Sequence, residues 1–549
     1  MTEPGPGDVP ERQRGSRKAK SLMVAGAGAV LVGSLSPWAT FAGFPGKMTL
    51  AGFPGGARLF CLLATVGVVL AFVDVAGRRK ATLAAAAGVL AVTVINGVAI
   101  AKQGGGPATV AWGAWLTVAG AGLVIAGAIV LPLDRERTDE WRALPPALEV
   151  TAISASLAGL LATVVWGLGI NESSRFVSFL TFVAAASVAL HHLGVFSWLA
   201  TIWGRHSRVT VVLASATAAA FPFTQHGNAY WVRVFASIGV FTAAAIGLNV
   251  VVGLAGLLDL GYVAFFGVGA YVGALFANAS LTTVHIHLPF LAVVFLGGAV
   301  ASVFGLVIGT PTLRLRGDYL AIVTLGFGEI FRITANNLDG LTRGPNGISG
   351  IPDLHAGTFN FGDTHHLLGV ALPGFANYYF VELVLVGAAI VVFTRLNDSR
   401  IGRAWVAIRE DEVAAAASGV DTVRLKLLAF AIGAFLAGTA GTVNAHVTTQ
   451  VSPDSYTFAE SILLVAAVVL GGMGTVPGAL LGSAALFVIP EKLRSFQDKR
   501  LLLFGAALIL MMRFRPEGMV PSRRRQRELR EWAPRGRAGA TGAPPGPAP

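Results

Sequence analysis

In the run GEIFR, Glu329 and Arg332 stand three residues apart, the spacing that brings two side chains onto one helix face, where a carboxylate and a guanidinium pair. Inside an apolar segment each such charge costs about 2.5 to 3.5 kcal/mol at the bilayer centre, so both need a partner or a pore. Mutual pairing is the favoured use, and direct contact with a polar solute is the other. Asn249, Asn336 and Asn444 carry amides that line a polar path or, more readily, bond between helices. Asp259, beside Gly261, is expected near the cytoplasmic interface. His191 and His192 do not make a metal site on their own, His365 and His366 are no stronger, and no carboxylate or cysteine cluster is present, so no metal is expected. The single cysteine, Cys61, rules out an intramolecular disulfide and reads as a small apolar residue inside a helix. No G-x-x-x-x-G-K-[ST] phosphate loop occurs, so the chain is expected to hydrolyse no ATP itself and to carry no cofactor.

The elements that must hold these residues are membrane helices. Hydrophobic residues make up 54% of the chain, charged residues 13%, and the mean hydropathy is +0.68, whereas a soluble protein carries about 25% charged residues. Apolar runs recur near 21–41, 58–76, 83–101, 110–132, 149–170, 176–202, 209–223, 230–254, 260–278, 289–310, 319–337, 379–396, 427–445, 460–473, 477–490 and 500–514. The expected fold is therefore an all-α polytopic membrane protein with about sixteen transmembrane segments, the shortest being interrupted or half-membrane helices. Weak alternating segments of about ten residues, the mark of a transmembrane barrel, are not what the sequence shows.

Basic residues set the orientation. Arg78, Arg79 and Lys80, then Arg135, Arg137 and Arg142, then Arg205 and Arg208, and further on Arg314 and Arg316, fall in alternate loops, which places those loops and both termini in the cytoplasm. The net charge of +12 thus describes topology and gives no reason to expect nucleic acid. Lys492, Arg494, Lys499 and Arg500 land on the outer side and depart from the rule. Residues 1–20 and the basic, low-complexity stretch 522–549 are expected to be disordered cytoplasmic ends.

Two glycine-rich stretches and one polar stretch interrupt the apolar pattern. In GLNVVVGLAGLLDLG the residues Gly247, Gly253, Gly256 and Gly261 weaken a helix, and in GGMGTVPG the residues Gly471, Gly472, Gly474 and Gly478 surround Pro477. Helices broken inside a bilayer line a cavity or lie buried in protein, so these stretches mark a translocation path; close packing through small residues is the alternative. The path candidates are Asn249, Gly253, Gly256, Glu329, Asn336, Gly472 and Gly474. The third stretch, GRAWVAIREDEVAAAASGVD at 402–421, is too polar to span and lies in a cytoplasmic loop. Its alanine block, led by acidic residues that suit a helix N-terminus and closed by Gly419, predicts a short surface helix. Such a helix suits a soluble motor that pushes on the membrane domain, or is an ordinary loop helix.

GRAWVAIREDEVAAAASGVDTVRLKLLAF resembles the coupling segment of LivM-like permeases, membrane subunits of the ABC importers for branched-chain amino acids. The resemblance extends through GLNVVVGLAGLLDLGYVAFFGVGAYVGAL at 247–275, LRGDYLAIVTLGFGEIFRITANNLDGLTRGPNGISGIP at 315–352, VVLGGMGTVPGALLG at 468–482 and FRPEGMVP at 514–521. It implies a permease core over 206–521 of about ten segments, preceded at 21–205 by an accessory membrane domain of about six helices that the family lacks. It also implies a transport subunit in the bacterial plasma membrane, surrounded by lipid, working with a second permease subunit, two cytoplasmic ATP-binding subunits and an extracytoplasmic solute-binding protein. By resemblance, coupling to the ATPase falls on Gly402, Arg403, Arg409, Glu410, Asp411 and Gly419, although Glu412 stands one position too early for the E-A-A-x-x-x-G pattern of other importers. The Gly- and Pro-rich loop 338–377 would face the binding protein, with Arg343, Pro345, Asn346 and Gly347 as docking residues; a structural turn is the equal alternative.

Urea and short-amide permeases resemble the same family and are the nearest alternative solute class. A secondary transporter would carry charged relay residues deep in several helices, and these are sparse. A membrane-embedded enzyme would show clustered catalytic acids at an interface, and none occurs.

Overall fold

The computed structural model describes residues 8–40, 55–69, 76–131, 144–225, 229–277, 288–312, 318–356, 359–367 and 369–492, with 505–506, 509, 513 and 518–520. Arg135, Arg137, Arg142, Arg314, Arg316, Arg494, Lys499 and Arg500, the tail 522–549 and most of the expected segment 500–514 lie outside the described residues. Ten helices among the described residues are long and apolar enough to cross a membrane. The chain is an all-α polytopic membrane protein, and it divides into two compact units, Met1–Ala220 and Phe221–Pro549.

The first unit consists of α1 (Asp8–Leu35), α2 (Gly55–Val69), α3 (Arg78–Gly104), α4 (Trp112–Val130), α5 (Pro146–Gly169), α6 (Ser173–Leu193), α7 (Val195–Arg205) and α8 (Ser207–Ala220). Helix α1 starts inside the stretch 1–20 expected to be disordered, because the Glu, Gln, Arg, Lys and Ala residues there are good helix formers that extend the apolar helix behind them. Helices α1 and α4 pack antiparallel along a small-residue seam. Ala19, Gly26 and Gly33 meet Gly127, Gly120 and Gly113 in turn, and a Cβ on Gly120 would lie 2.7 Å from the Gly26 carbonyl oxygen. This is how helices approach closely where water supplies no driving force between them. Arg58 of α2, 7% exposed, donates to the Ser34 and Leu35 carbonyls at 2.6 and 2.7 Å, satisfying the open C-terminus of α1.

The expected single segment 176–202 is two helices. Gly194 between α6 and α7 has φ +69°, and its N–H bonds back to the Leu190 and His191 carbonyls, so the chain turns there. Glu149 at the start of α5 then holds the α7–α8 junction through Arg205 and, at 2.8 Å, the His206 ring. Most of the segment expected to open the permease core, 209–223, belongs to the first unit as α8, which ends at Ala220, since Leu213 and Ala214 pack beside Ile153 and Leu157 of α5.

In the second unit, α9 (Ala229–Leu248) runs into a π-turn (Asn249–Leu254). There follow α10 (Val263–Phe276), α11 (Phe290–Thr312), α12 (Asp318–Asn337), the single turn α13 (Asp339–Thr342), α14 (Gly374–Asp398), α15 (Arg400–Glu410), α16 (Glu412–Ala417), α17 (Thr422–Thr448), α18 (Phe458–Gly471) and α19 (Val476–Lys492). Short antiparallel pairings involve the polar loop between α13 and α14: β1 (Ile348–Ser349) pairs with β6 (Gln450–Val451), which follows α17, while β2 (His355–Ala356) pairs with β3 (Phe359–Asn360) and β4 (His365–Leu367) with β5 (Val370–Leu372) inside the loop.

Helix α17 is the centre, packed against α9, α10 and α11. Its GAFLAGTAGTV stretch makes this possible. A Cβ on Gly269 of α10 would lie 2.0 Å from the Gly438 carbonyl oxygen, and one on Gly438 would lie 2.5 Å from that of Gly297 on α11. Thr442 donates to the Gly269 carbonyl at 2.9 Å and Tyr262 to that of Gly433 at 2.7 Å, tying the helices by hydrogen bonds as well.

Candidate functional site

The polar run at 402–421 folds as two short helices set at an angle around Asp411. Ser399 caps α15, its hydroxyl accepting from the Gly402 N–H at 3.1 Å. Gly402 is buried where a Cβ would lie 2.2 Å from the Leu396 carbonyl oxygen, so its place is steric. Asp411, with φ −154°, breaks the helix and caps α16 by accepting from the Val413 and Ala414 N–H groups at 2.8 and 3.0 Å. At the far end Gly419 has φ +85°; its N–H bonds to Ala416 O at 3.0 Å and that of Val420 to Ala415 O at 3.1 Å, a Schellman closure. The buried face of the pair is anchored to the start of α17: Trp405, fully buried, donates to Leu425 O at 2.7 Å, and Lys426 pairs with Glu412. Arg403, Glu410, Val413, Ala414, Ala416 and Ala417 are left facing outward, Val413 with 65% of its surface exposed.

The expected break in the next element is real and has a defined geometry. Helix α9 widens into the π-turn, where Asn249 is fully buried with its amide spent on one partner loop: Nδ2 donates to Thr475 O at 3.0 Å and Oδ1 accepts from Gly474 N at 2.7 Å. A Cβ on Gly253 would lie 2.0 Å from that Oδ1 and 2.6 Å from Gly474 N, so only glycine fits. Gly472 has φ +122° and lies beneath Val520, whose N–H bonds to Gly471 O at 2.9 Å while Met519 N–H bonds to Leu470 O at 2.7 Å. Thr475 closes the knot, donating to Val520 O at 3.3 Å. Arg409, at the end of α15, extends into this knot: Nη1 donates to the Gly253 carbonyl, and the aliphatic stem covers Gly256, which has φ +73°.

The path candidates therefore separate. Asn249, Gly253, Gly256, Gly472 and Gly474 come together at one end of the unit, while Glu329 and Asn336 lie on α12. Glu329 accepts from Arg332 Nε at 3.0 Å, the pairing their spacing predicts. Asn336 is half-buried at the end of α12, where its carbonyl oxygen would lie 3.1 Å from a Cβ on Gly344. Among the docking candidates, Arg343 (φ +63°), Pro345 and Asn346 are exposed on the turn that follows α12. Gly347 is buried, because a Cβ there would lie 2.2 Å from Val451 O at the β1–β6 pairing.

Trp405, Lys426 and Thr475 hold this architecture together and were not singled out from the sequence; Trp and Lys beside a helical pattern carry no signal of what they reach. Glu382 had a signal. An ionisable residue within VELVLVGAAIVV, it is 1% exposed beside Gly239, and neither carboxylate oxygen has a hydrogen-bond partner among the described residues. Asp259, also fully buried, accepts from Gly261 N at 2.9 Å and shapes the turn after the break.

A family model described as branched-chain amino acid transport system / permease component matches residues 230–512. The chain belongs to this family. The high-affinity branched-chain amino acid transport system permease protein LivM of Escherichia coli is 42% identical over 311 residues, covering 54% of this chain and 71% of the relative. BraD of Pseudomonas aeruginosa, named as a permease protein of the same kind of system, is 29% identical over 288 residues, 51% of this chain and 91% of its own. A probable LivM of Methanocaldococcus jannaschii is 26% identical over 305 residues, covering 50% and 84%. No solved structure matches. The family match starts at residue 230, beyond the first unit, and takes in both the π-turn and the α15–α16 pair.

Proposed function

We propose that this chain is one transmembrane permease subunit of an ABC importer for branched-chain amino acids in the bacterial plasma membrane. It works with a second permease subunit, two cytoplasmic ATP-binding subunits and an extracytoplasmic solute-binding protein. Both termini and the α15–α16 pair lie in the cytoplasm, and the loop between α12 and α14 faces outward with Arg343, Pro345 and Asn346 toward the binding protein. Each of the first fifteen apolar runs contains a helix, and the run 500–514 makes about sixteen segments.

The observation that carries this reading is the α15–α16 pair. Its inner face is pinned to α17 through Trp405 and Lys426, and its outer face leaves Glu410, Val413, Ala414, Ala416 and Ala417 exposed among the described residues. A rigid helix with a small, apolar outer face is what inserts into a groove on another protein. The test is reconstitution of the complex in vesicles with solute-binding protein inside a labelled-leucine uptake assay. The purified chain alone is expected to hydrolyse no ATP, and the complex to take up leucine only when ATP is supplied. Uptake driven by an ion gradient without the ATPase subunits would refute the reading.

The first unit acts as an accessory membrane domain. It lies outside the family match and has its own cores, around Phe60, Trp38 and Phe179 and around Ile153 and Ile202. Deleting residues 1–200 is expected to leave assembly and uptake in place. Loss of uptake from a truncated chain that still inserts and assembles would make this unit part of the transport machinery.

A further inference from the structure

Three chain segments far apart in sequence are knotted at the π-turn, and one side chain joins that knot to the surface helices. Arg409 belongs to the last turn of α15, and the next residue but one, Asp411, is the cap on which α16 starts. Any displacement of α16 is thus carried to Arg409 through a backbone fixed by helix on one side and cap on the other.

Beyond Arg409 the path continues without a gap. The carbonyl of Gly253 belongs to the last turn of a helix, whose terminal C=O groups lack intrahelical partners and carry partial negative charge. An arginine N–H is the donor suited to such a group, since a charge-assisted bond is the stronger kind. The stem of Arg409 lies against Gly256, where a Cβ would come within 2.5 Å of Arg409 Cγ. From Gly253 the path passes to Asn249, which shares its space, then to Gly474 and Thr475, and from Thr475 to Val520. Single-turn π segments inside helices are rare and recur at functional sites. This one ends α9, just before the chain turns at Gly256.

We propose that Arg409 is the internal strut of the coupling apparatus, a positioning residue that passes movement of α15–α16 into the π-turn and the 472–475 loop, while docking of the ATPase falls to Glu410 and the outer face of α16. The inference rests on the reading of the chain as an ABC permease. It separates two tasks that the sequence joins in adjacent residues. Both side chains are solvent-exposed, but Arg409 Nη1 donates to the Gly253 carbonyl, whereas Glu410 points to the surface that α15 and α16 share.

The test uses the whole complex with Arg409→Ala and Arg409→Lys and reads three quantities: ATPase subunits co-purified, ATP hydrolysed, and leucine taken up per ATP. Arg409→Ala is expected to retain its ATPase subunits and hydrolysis but to lose uptake per ATP by about 5-fold or more, the range of a lost coupling link. Arg409→Lys, with its charge but no planar fork, falls between. Loss of ATPase subunits in proportion to uptake would make Arg409 a docking residue and overturn the proposal, as would full uptake per ATP. Should Arg409→Ala fail to insert, Arg409→Lys decides, full uptake per ATP by that variant refuting the strut. If the unaltered chain co-purifies no ATPase at all, the permease reading itself fails, and that outcome is distinct from either result above.

Discussion

Replacing Val413 with Asp is expected to strip the ATPase subunits from the complex and bring leucine uptake to background, with the chain still inserted and folded. Val413 is 65% exposed on the second position of α16, flanked by exposed Ala414, Ala416 and Ala417. A carboxylate placed there faces the groove of the partner and must be desolvated on docking. Truncating or charging a central apolar anchor of an interface costs about 2 kcal/mol or more, roughly a 30-fold loss of affinity. The fold is spared for two reasons. Surface substitutions change stability by no more than about 0.5 kcal/mol, and an acidic residue in the first helical turn is favourable with respect to the helix dipole. Reversing Asp411 would be a poorer probe, because its carboxylate caps α16 and its loss costs about 0.5 to 2 kcal/mol of local stability. A bulky residue at Gly419 strains a φ of +85° and is no cleaner. The measurement is co-purification of the ATPase subunits with the tagged chain, together with uptake. Full association and full uptake by Val413→Asp would show that the outer face of α16 is not the docking surface.

The second large effect is on the fold. Gly441→Leu is expected to prevent assembly of the second unit, giving degraded or aggregated chain on size-exclusion chromatography. A Cβ at Gly441 would lie 1.9 Å from the Phe266 carbonyl oxygen and 2.8 Å from its carbon, and both are backbone atoms of α10 that no rotamer change moves aside. Overpacking a core costs about 1 to 3 kcal/mol where side chains yield, and more where they do not. The central α17 would separate from α10 and lose the Thr442 to Gly269 and Tyr262 to Gly433 hydrogen bonds with it. Gly387→Leu is the control: nothing lies within 4 Å of a Cβ at that position of α14, so its elution and melting are expected to match the unaltered chain. Equal melting temperatures for the two variants would mean that α17 does not depend on this close approach.

Much of the architecture was legible because hydropathy reports directly on the solvent. A run of roughly twenty apolar residues is stable in lipid only as a helix, so the places of α3, α4, α5, α11, α14 and α17 follow from composition and length. Breaks were legible for a related reason. Glycines cluster where a helix must deform, and both GLNVVVGLAG and GGMGTVPG mark real turns. The Glu329–Arg332 pair was legible as well, being local along one helix. The turn at Gly194 was missed because apolar residues continue straight across it, and hydropathy does not see a positive φ. The seam of Ala19, Gly26 and Gly33 against Gly127, Gly120 and Gly113 was present in the sequence as a seven-residue spacing, but which helix it faced was not.

The sequence by itself determined that this is a helical membrane protein with a broken core and a short surface helix, since each of those properties is local: a run of apolar residues, a cluster of glycines, an alanine block with a closing glycine. Only the tertiary structure decided what those pieces do to one another. Adjacent residues Arg409 and Glu410 read alike as charges on a polar loop, yet one guanidinium reaches a carbonyl at Gly253 while its neighbour faces outward. Gly253, Gly474 and Val520 share one knot although more than two hundred residues separate the first two. Hydrogen bonds and close contacts between segments so distant in the chain depend on where every intervening helix packs, and that packing is set by steric fit between surfaces that no local pattern encodes.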